Sequence, residues 1–287
     1  MDRSQQPTSL IPAININQNS NNMFIHPTAI ISPGATIHPT ASIGPFCHIG
    51  PLVTLGPHTT LLSHVTVSGQ TTIGSNCTIH PFSALGGPSQ AKADSPTQGT
   101  LSIGNNCIIR ECATVNLGLG TGTKVGNGVL IMANAHVAHD CFVDDEVILV
   151  NGVTLAGHVT VGKGAIFAGQ SAAVQFCRIG EFAYVGAGTM VSRDVLPFSL
   201  VRGDRARTVG VNVVGLRRRG WVENRMKLVE KAMGLVLRGD ERGLGELLGE
   251  IKGQVGGTDV LRLAEFARGS EKGLCLPPAE KRPEPKL

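Results

Sequence analysis

Large aliphatic residues recur at every sixth position, from Ile25 through Ile31, Ile37, Ile43, Ile49, Leu55, Leu61, Val67, Ile73 and Ile79 to Leu85, without one slip of phase. The fourth position after each is small, as at Ala29, Ala35, Ala41, Cys47 and Val53. Neither the 3.6-residue period of a helix nor the two-residue alternation of a half-buried strand produces this pattern. It is the hexapeptide signature of a parallel β-helix, in which three hexads close one triangular coil of about 18 residues. The aliphatic and the small residue both face a narrow prism. Glycine, frequent one position after the aliphatic, is expected to relax the corners.

A polar insertion, Gly86 to Thr100, interrupts the pattern, which resumes in phase at Ile103, Ile109 and Val115, so that Leu85 to Ile103 reads as three repeats. A second insertion, NLGLGTGTK (Asn116 to Lys124), resets the count, and a new register runs from Val125 through Ile131, Val137, Val143, Leu149, Leu155, Val161, Phe167, Ala173, Ile179 and Val185 to Val191. The prism is therefore expected over residues 23–196, with loops near 86–100 and 116–124. Beyond Pro197 the hexads stop, and after Asn212 apolar residues adopt a helical spacing: Val222, Met226, Val229, Met233, Val236, then Leu244, Leu247, Leu248, Ile251, then Val260, Leu263, Phe266. This predicts a small helical domain over 197–275 that caps the prism. Residues 1–22, rich in Asn, Gln and Ser, and residues 276–287 read as disordered tails.

Composition narrows the function classes. A formal charge of +4 is too weak for a nucleic-acid footprint, yet the arginines concentrate in RGDRAR (Arg202 to Arg207) and RRR (Arg217 to Arg219), which suits a phosphorylated partner. No apolar run approaches the roughly 18 residues of a membrane span, and no signal peptide is visible. Of the seven cysteines, Cys47, Cys77, Cys107, Cys141 and Cys177 occupy the inward small position, where a thiol acts as a compact hydrophobe. Only Cys112 and Cys275 lie off the pattern, so a soluble protein of a reducing compartment is expected. That compartment is the cytoplasm in a bacterium. A transit-peptide remnant in the polar N-terminal stretch would instead place the protein in a mitochondrion or plastid.

Chemistry concentrates in NAHVAHDC, Asn134 to Cys141. His26, His38 and His80 precede prolines at corner positions and read as structural or solvent-facing. The core gives no reason for His136 and His139. One coil beyond His139 lies Gly157, with His158 beside it, and stacked strands are about 4.8 Å apart. Three readings are open on the residues alone. His136, His139 and His158 could ligate zinc. They could be surface polar residues on a scaffold. Or His139 could serve as a general base, oriented by Asp140, with the Gly157 N–H receiving an oxyanion. The glycines of LGLGTGTK fit no phosphate-loop spacing.

NAHVAHDC, LAGHVTVG (Leu155 to Gly162), QFCRIG (Gln175 to Gly180), RGDRA and GVNVVGLRRRG (Gly210 to Gly220) occur in an order and spacing that resembles the acyl-carrier-protein:UDP-N-acetylglucosamine O-acyltransferases that begin lipid A synthesis. The resemblance covers roughly residues 23–270. It implies a left-handed β-helix, an assembly of three prisms with each active site between two subunits, and no cofactor or metal. It implies transfer of a (3R)-3-hydroxyacyl group from acyl carrier protein to the sugar 3-hydroxyl of UDP-N-acetylglucosamine. By the same resemblance His139 is the base, Asp140 its orienter and Gly157 the oxyanion donor. His136 and His158 contact the sugar nucleotide, Gln175 the uracil, and Asn212, Arg218 and Arg219 the ribose and diphosphate. Gly186 and Ala187 fall where acyl length is measured, and Ala187 in place of a glycine is expected to shorten the preferred chain.

The sequence departs from that family at several places. Val174 stands where a histidine is usual, Val214 where a glutamate is usual, and Leu117 and Leu119 interrupt the NRGT strand, with a shortened loop following. An acid and a lysine expected after Gln90 are displaced to Asp94 and Lys92. Two alternatives follow: a different hexapeptide sugar acyltransferase, or a non-catalytic scaffold that binds acyl carrier protein or nucleotide.

Overall fold

A computed structural model describes residues 24–92, 99–251, 253 and 255–277 of the chain. The expected tail over 1–22, Asp94, and residues 278–287 of the second expected tail lie outside them. The hexads form a parallel β-solenoid of short strands stacked into three sheets of eleven, nine and eight strands. The first sheet begins at Phe24–Ile25, the second at Ile30–Ile31 and the third at Thr36–Ile37. Ile25 pairs with Ile43, Ile31 with Ile49 and Ile37 with Leu55, so each of these coils consumes three six-residue periods.

The core is what the period demands. Ile43, Ile49, Leu55, Leu61, Val67, Ile73 and Ile79 are fully or almost fully buried, and the small positions Cys47, Val53, Cys77, Cys107, Ala135 and Cys141 are equally inaccessible. Phe167, also fully buried, fits because Ala173 shares its coil and concedes volume. The thiols add a polar contact. Those of Cys77 and Cys107 donate to the carbonyls of Gly104 and Gly126 at 3.1 Å, and that of Cys141 to Ala156 at 3.1 Å. Burial pushes the Cys141 thiol up to about 12, which makes it chemically inert.

The corners differ from expectation. Apart from Gly86, at the start of the first insertion, left-handed backbone occurs not at the glycine after the aliphatic but three positions after the aliphatic: Phe46, His58, His64, Asn76, Phe82, Asn134, Asp140, Glu146 and His158 all have φ between 55° and 63°. The glycine is needed for proximity instead. A Cβ on Gly56, Gly74 or Gly104 would come within 2.6–2.7 Å of a carbonyl oxygen in the next coil. Two positions after the aliphatic, the N–H points away from the ladder, and proline fills that place at Pro27, Pro33, Pro39, Pro45, Pro51 and Pro57.

The insertions also read differently. Ile73 pairs with Ile103 and Leu85 with Val115, so Leu85 to Ile103 is one step around the prism plus a twelve-residue excursion. The phase survived because the excursion is a multiple of six, not because the loop contributes prism repeats. Both insertions leave from the edge between the second and third sheets.

After Pro197 the strand Ser199–Arg202 still extends the first sheet, and Arg207–Val211 returns antiparallel to it. RGDRAR is thus a hairpin turn. Four helices follow: α1 (Val213–Arg218), α2 (Glu223–Arg238), α3 (Glu241–Glu250) and α4 (Gly257–Arg268). Met226, Val229, Met233 and Leu263 pack around Phe198 and Trp221, whereas Val222, expected in the apolar stripe, is exposed and precedes α2. Gly239 ends α2 in the left-handed conformation, and the Asp240 carboxylate caps α3. Arg225 binds Asp259 through two nitrogens, and Arg262 bridges Asp259 and Glu181, tying the helices to the prism. No described helix is long and apolar enough to cross a membrane.

Candidate active site

His139 and Asp140 occupy the edge between the strands His136–Val137 and Phe142–Val143, directly above the second insertion. Both are nearly buried. The Asp140 carboxylate is held by five donors. One oxygen accepts the Leu119 N–H at 2.9 Å and faces His139 Nδ1 at 3.0 Å; the other accepts the N–H groups of Gly120 and Gly122 at 3.1 Å and the Thr121 hydroxyl at 3.2 Å. The glycine-rich insertion is therefore a nest for a carboxylate of this same chain. Gly118 is required within it, because a Cβ there would come within 2.6 Å of the Asp140 oxygen. Burial raises the Asp140 pKa, but the Leu119 N–H, His139 and the Gly120 and Gly122 N–H groups outweigh it and hold the carboxyl well below the usual range. An ionised Asp140 accepts a hydrogen bond from Nδ1–H of His139, which favours the tautomer whose Nε2 lone pair is free to accept a proton.

One coil up, Gly157 is packed against that Nε2. An added Cβ would overlap the imidazole, so only glycine fits. Gly157 sits at the position where the N-terminal coils carry proline, and its N–H donates to no backbone acceptor among the described residues. His158 follows, its N–H donating to the His139 carbonyl at 3.0 Å and its ring meeting that of His139 edge-on at 5.0 Å. Phe176, one further coil up, stacks on His158 at 4.7 Å between centroids and 7° between planes. Lys272 reaches from beyond α4 to donate to the Gln175 carbonyl at 2.9 Å.

His136, on the outer face of the second sheet, places Nδ1 2.7 Å from the Thr114 hydroxyl, and burial lowers its pKa, so the ring is neutral at neutral pH. The metal-compatible trio is not the expected one. Atoms of His139, Asp140 and His158 lie within 4.8 Å of one another, without His136. Because Asp140 already accepts five donors, these residues fit an oriented base better than a ligand set.

The remaining expected residues fall on other edges. Asn212, Arg218 and Arg219 line a cavity of about 800 Å³ beside the first sheet, together with Ile148, Ile166, Tyr184 and Leu200. Asn212 is also structural: its side chain donates to the Phe182 carbonyl at 2.9 Å and caps α1 by accepting the Gly215 N–H at 3.1 Å. Arg219 lies over the Phe182 ring and pairs with Glu146 at 2.8 Å. Gly186 and Ala187 occupy the third edge, between Tyr184–Val185 and Met190–Val191. Within one chain, then, His139, Asp140, Gly157, His158 and Gln175 share an edge that Asn212, Arg218 and Arg219 do not reach.

Several departures become intelligible. Leu119 contributes through its backbone N–H, which any side chain leaves intact, while Leu117 is buried in the core. Val174 and Val214 are exposed. His80, expected to be structural or solvent-facing, is buried with Nδ1 3.0 Å from Glu111. The role of the nest at Leu119 to Gly122 was not legible in advance, since nothing local links those glycines to Asp140. Phe176 was accessible by counting one coil from His158.

Comparison with known proteins agrees with the architecture. Residues 194–275 match the family described as UDP-N-acetylglucosamine O-acyltransferase, domain 2, and residues 122–157 match the bacterial transferase hexapeptide (six repeats). An acyl-[acyl-carrier-protein]–UDP-N-acetylglucosamine O-acyltransferase of Anaeromyxobacter sp. (strain Fw109-5) is 43% identical over 258 residues, covering 88% of this chain and 99% of that protein. One from Agrobacterium fabrum is 40% identical over 224 residues, 74% of this chain and 80% of that protein. The crystal structure of the UDP-N-acetylglucosamine O-acyltransferase from Moraxella catarrhalis superimposes with a TM-score of 0.83 at 36% identity, covering 88% of this chain and 99% of that one. The Arabidopsis enzyme gives 0.73 at 31% identity, covering 88% and 100%. With 80–100% of the length of these relatives matched, the chain belongs to the family of acyl-[acyl-carrier-protein]–UDP-N-acetylglucosamine O-acyltransferases and is an acyltransferase.

Proposed function

We propose that the chain transfers a (3R)-3-hydroxyacyl group from acyl carrier protein to the 3-hydroxyl of UDP-N-acetylglucosamine, the reaction that opens lipid A synthesis, by general-base catalysis at His139. The observation that carries this reading is the stack of Asp140, His139 and Gly157. His139 Nε2 removes the proton from the sugar 3-hydroxyl as its oxygen attacks the thioester carbonyl. Asp140, fixed by its five donors, steadies the imidazolium that forms. The carbonyl oxygen becomes an oxyanion that the Gly157 N–H receives. Collapse expels the carrier-protein thiolate, which takes the proton from His139, so no covalent enzyme intermediate is needed.

His158 and Gln175 on that edge, and His136 on the adjoining outer face of the second sheet, face the sugar nucleotide. Asn212, Arg218 and Arg219 bind ribose and diphosphate, for which a guanidinium fork is better suited than a point charge. Because these two sets lie on different edges of one prism, a complete site requires a second copy, in keeping with a homotrimer whose sites lie between subunits. Incubating the protein with 3-hydroxyacyl carrier proteins and a panel of nucleotide sugars tests the assignment. Product with UDP-N-acetylglucosamine supports it. Product with another sugar alone, or binding without product, refutes it.

A further inference from the structure

Among the described residues that line the cavity beside the first sheet, Glu146 is the one acid, and it comes from the prism; Val214, on α1, adds no charge. Glu146 stands at a left-handed corner between the third and first sheets, with Gly164 and Phe182 at the same corner one and two coils above it. The N–H of each donates to the coil beneath at 2.8 Å, so the three form a straight column. The Arg219 side chain reaches this column from the C-terminal end of α1.

Three contacts seat its guanidinium. Cζ lies 4.6 Å from the centroid of the Phe182 ring. Gly164 clears the way: other corners of this kind carry full side chains, but a Cβ here would come within 2.6 Å of Arg219 Nη2. Nη1 donates to one Glu146 oxygen at 2.8 Å, and Lys163 holds the other oxygen at 3.1 Å. Arg219, with help from Lys163, keeps the Glu146 carboxyl below its usual range, so it is ionised at neutral pH. A bare carboxylate would repel an anionic ligand, but Lys163 neutralises this one and leaves the charge of Arg219 unspent. The side chains of Glu146, Lys163 and Arg219 are 48%, 45% and 31% exposed, so the pairs contribute little to stability. Their effect is to order a long side chain before its ligand arrives. We propose that Glu146 is a positioning residue for the sugar nucleotide: it holds the Arg219 guanidinium against Phe182 and Gly164 so that the rest of the fork meets the diphosphate already oriented. This rests on the acyl-transfer reading given above.

The test is steady-state kinetics at saturating 3-hydroxyacyl carrier protein with UDP-N-acetylglucosamine varied. Glu146→Ala is expected to raise KM for the sugar nucleotide about fivefold, the effect of leaving one long side chain to be ordered on binding, with kcat and melting temperature little changed. Glu146→Gln, which keeps an acceptor oxygen at the same reach, is expected to raise KM less. Adding Glu146→Ala to Arg219→Ala is expected to cause no further rise, because nothing is left to position. An unchanged KM in Glu146→Ala overturns the proposal, as does an additive rise in the double variant. So does a lower KM, the sign of a carboxylate that only competes with the diphosphate. Failure of the underlying reading is separable: a wild-type protein that forms no product from UDP-N-acetylglucosamine overturns that reading and this proposal together, whereas normal wild-type turnover with any of the three contrary results overturns the proposal alone.

Discussion

The imidazole Nδ1 of His139 lies 3.0 Å from an Asp140 carboxylate whose other donors all come from the loop Leu119 to Gly122. Base orientation and loop conformation are thus one structural unit. Asp140→Asn would turn an amide NH2 toward N–H groups that need an acceptor. The variant is expected to lose about 3 kcal/mol of stability and about 10³-fold or more in kcat. Thermal melts and turnover check both, and a variant of wild-type activity would remove Asp140 from the mechanism.

The acid dependence of stability follows from the same carboxylate. Its folded pKa is depressed, so its ionisation stabilises the protein fully above the unfolded value near 4 and less and less as pH falls through the folded value. The stability gap between wild type and Asp140→Asn should therefore be constant near neutrality and narrow below about pH 4. Denaturant unfolding across that range measures it; a gap that widens on acidification contradicts the sign.

Gly157→Ala places a methyl group on the His139 imidazole. The variant is expected to fold, since the position lies on an edge, and to lose about 10²-fold or more in kcat through displacement of both base and oxyanion donor. A circular dichroism spectrum and a turnover assay distinguish this from unfolding. Wild-type turnover would exclude this packing from the mechanism.

Much of this architecture was legible because the hexad count is a metric. One coil from His139 is Gly157, and one coil from Asp140 is His158, so residues far apart in sequence could be placed together by arithmetic. Corner conformation was not legible. Phe46, Asp140 and His158 show that the left-handed position accepts bulky and charged side chains, so composition does not mark it. The carboxylate nest was equally hidden, because Leu119, Gly120 and Gly122 act through backbone N–H groups that carry no side-chain signal. The strand Ser199–Arg202 escaped because it joins the first sheet by register rather than by period.

Asn212 and Arg219 should separate by assay although they line one cavity. Asn212→Ala removes a helix cap and the bond to Phe182, costing about 1–2 kcal/mol of stability as well as nucleotide affinity. Arg219→Ala is expected to raise KM for the sugar nucleotide with little change in kcat, because its ion pair with Glu146 is partly exposed. Equal loss of kcat in Arg219→Ala would instead assign it a role confined to the transition state.

The central claim is that His139 is the base. Its most direct test is turnover of purified His139→Ala protein with 3-hydroxyacyl carrier protein and UDP-N-acetylglucosamine, beside the wild type. The account predicts a folded protein whose kcat falls by about 10²-fold or more; full turnover in the variant would contradict it.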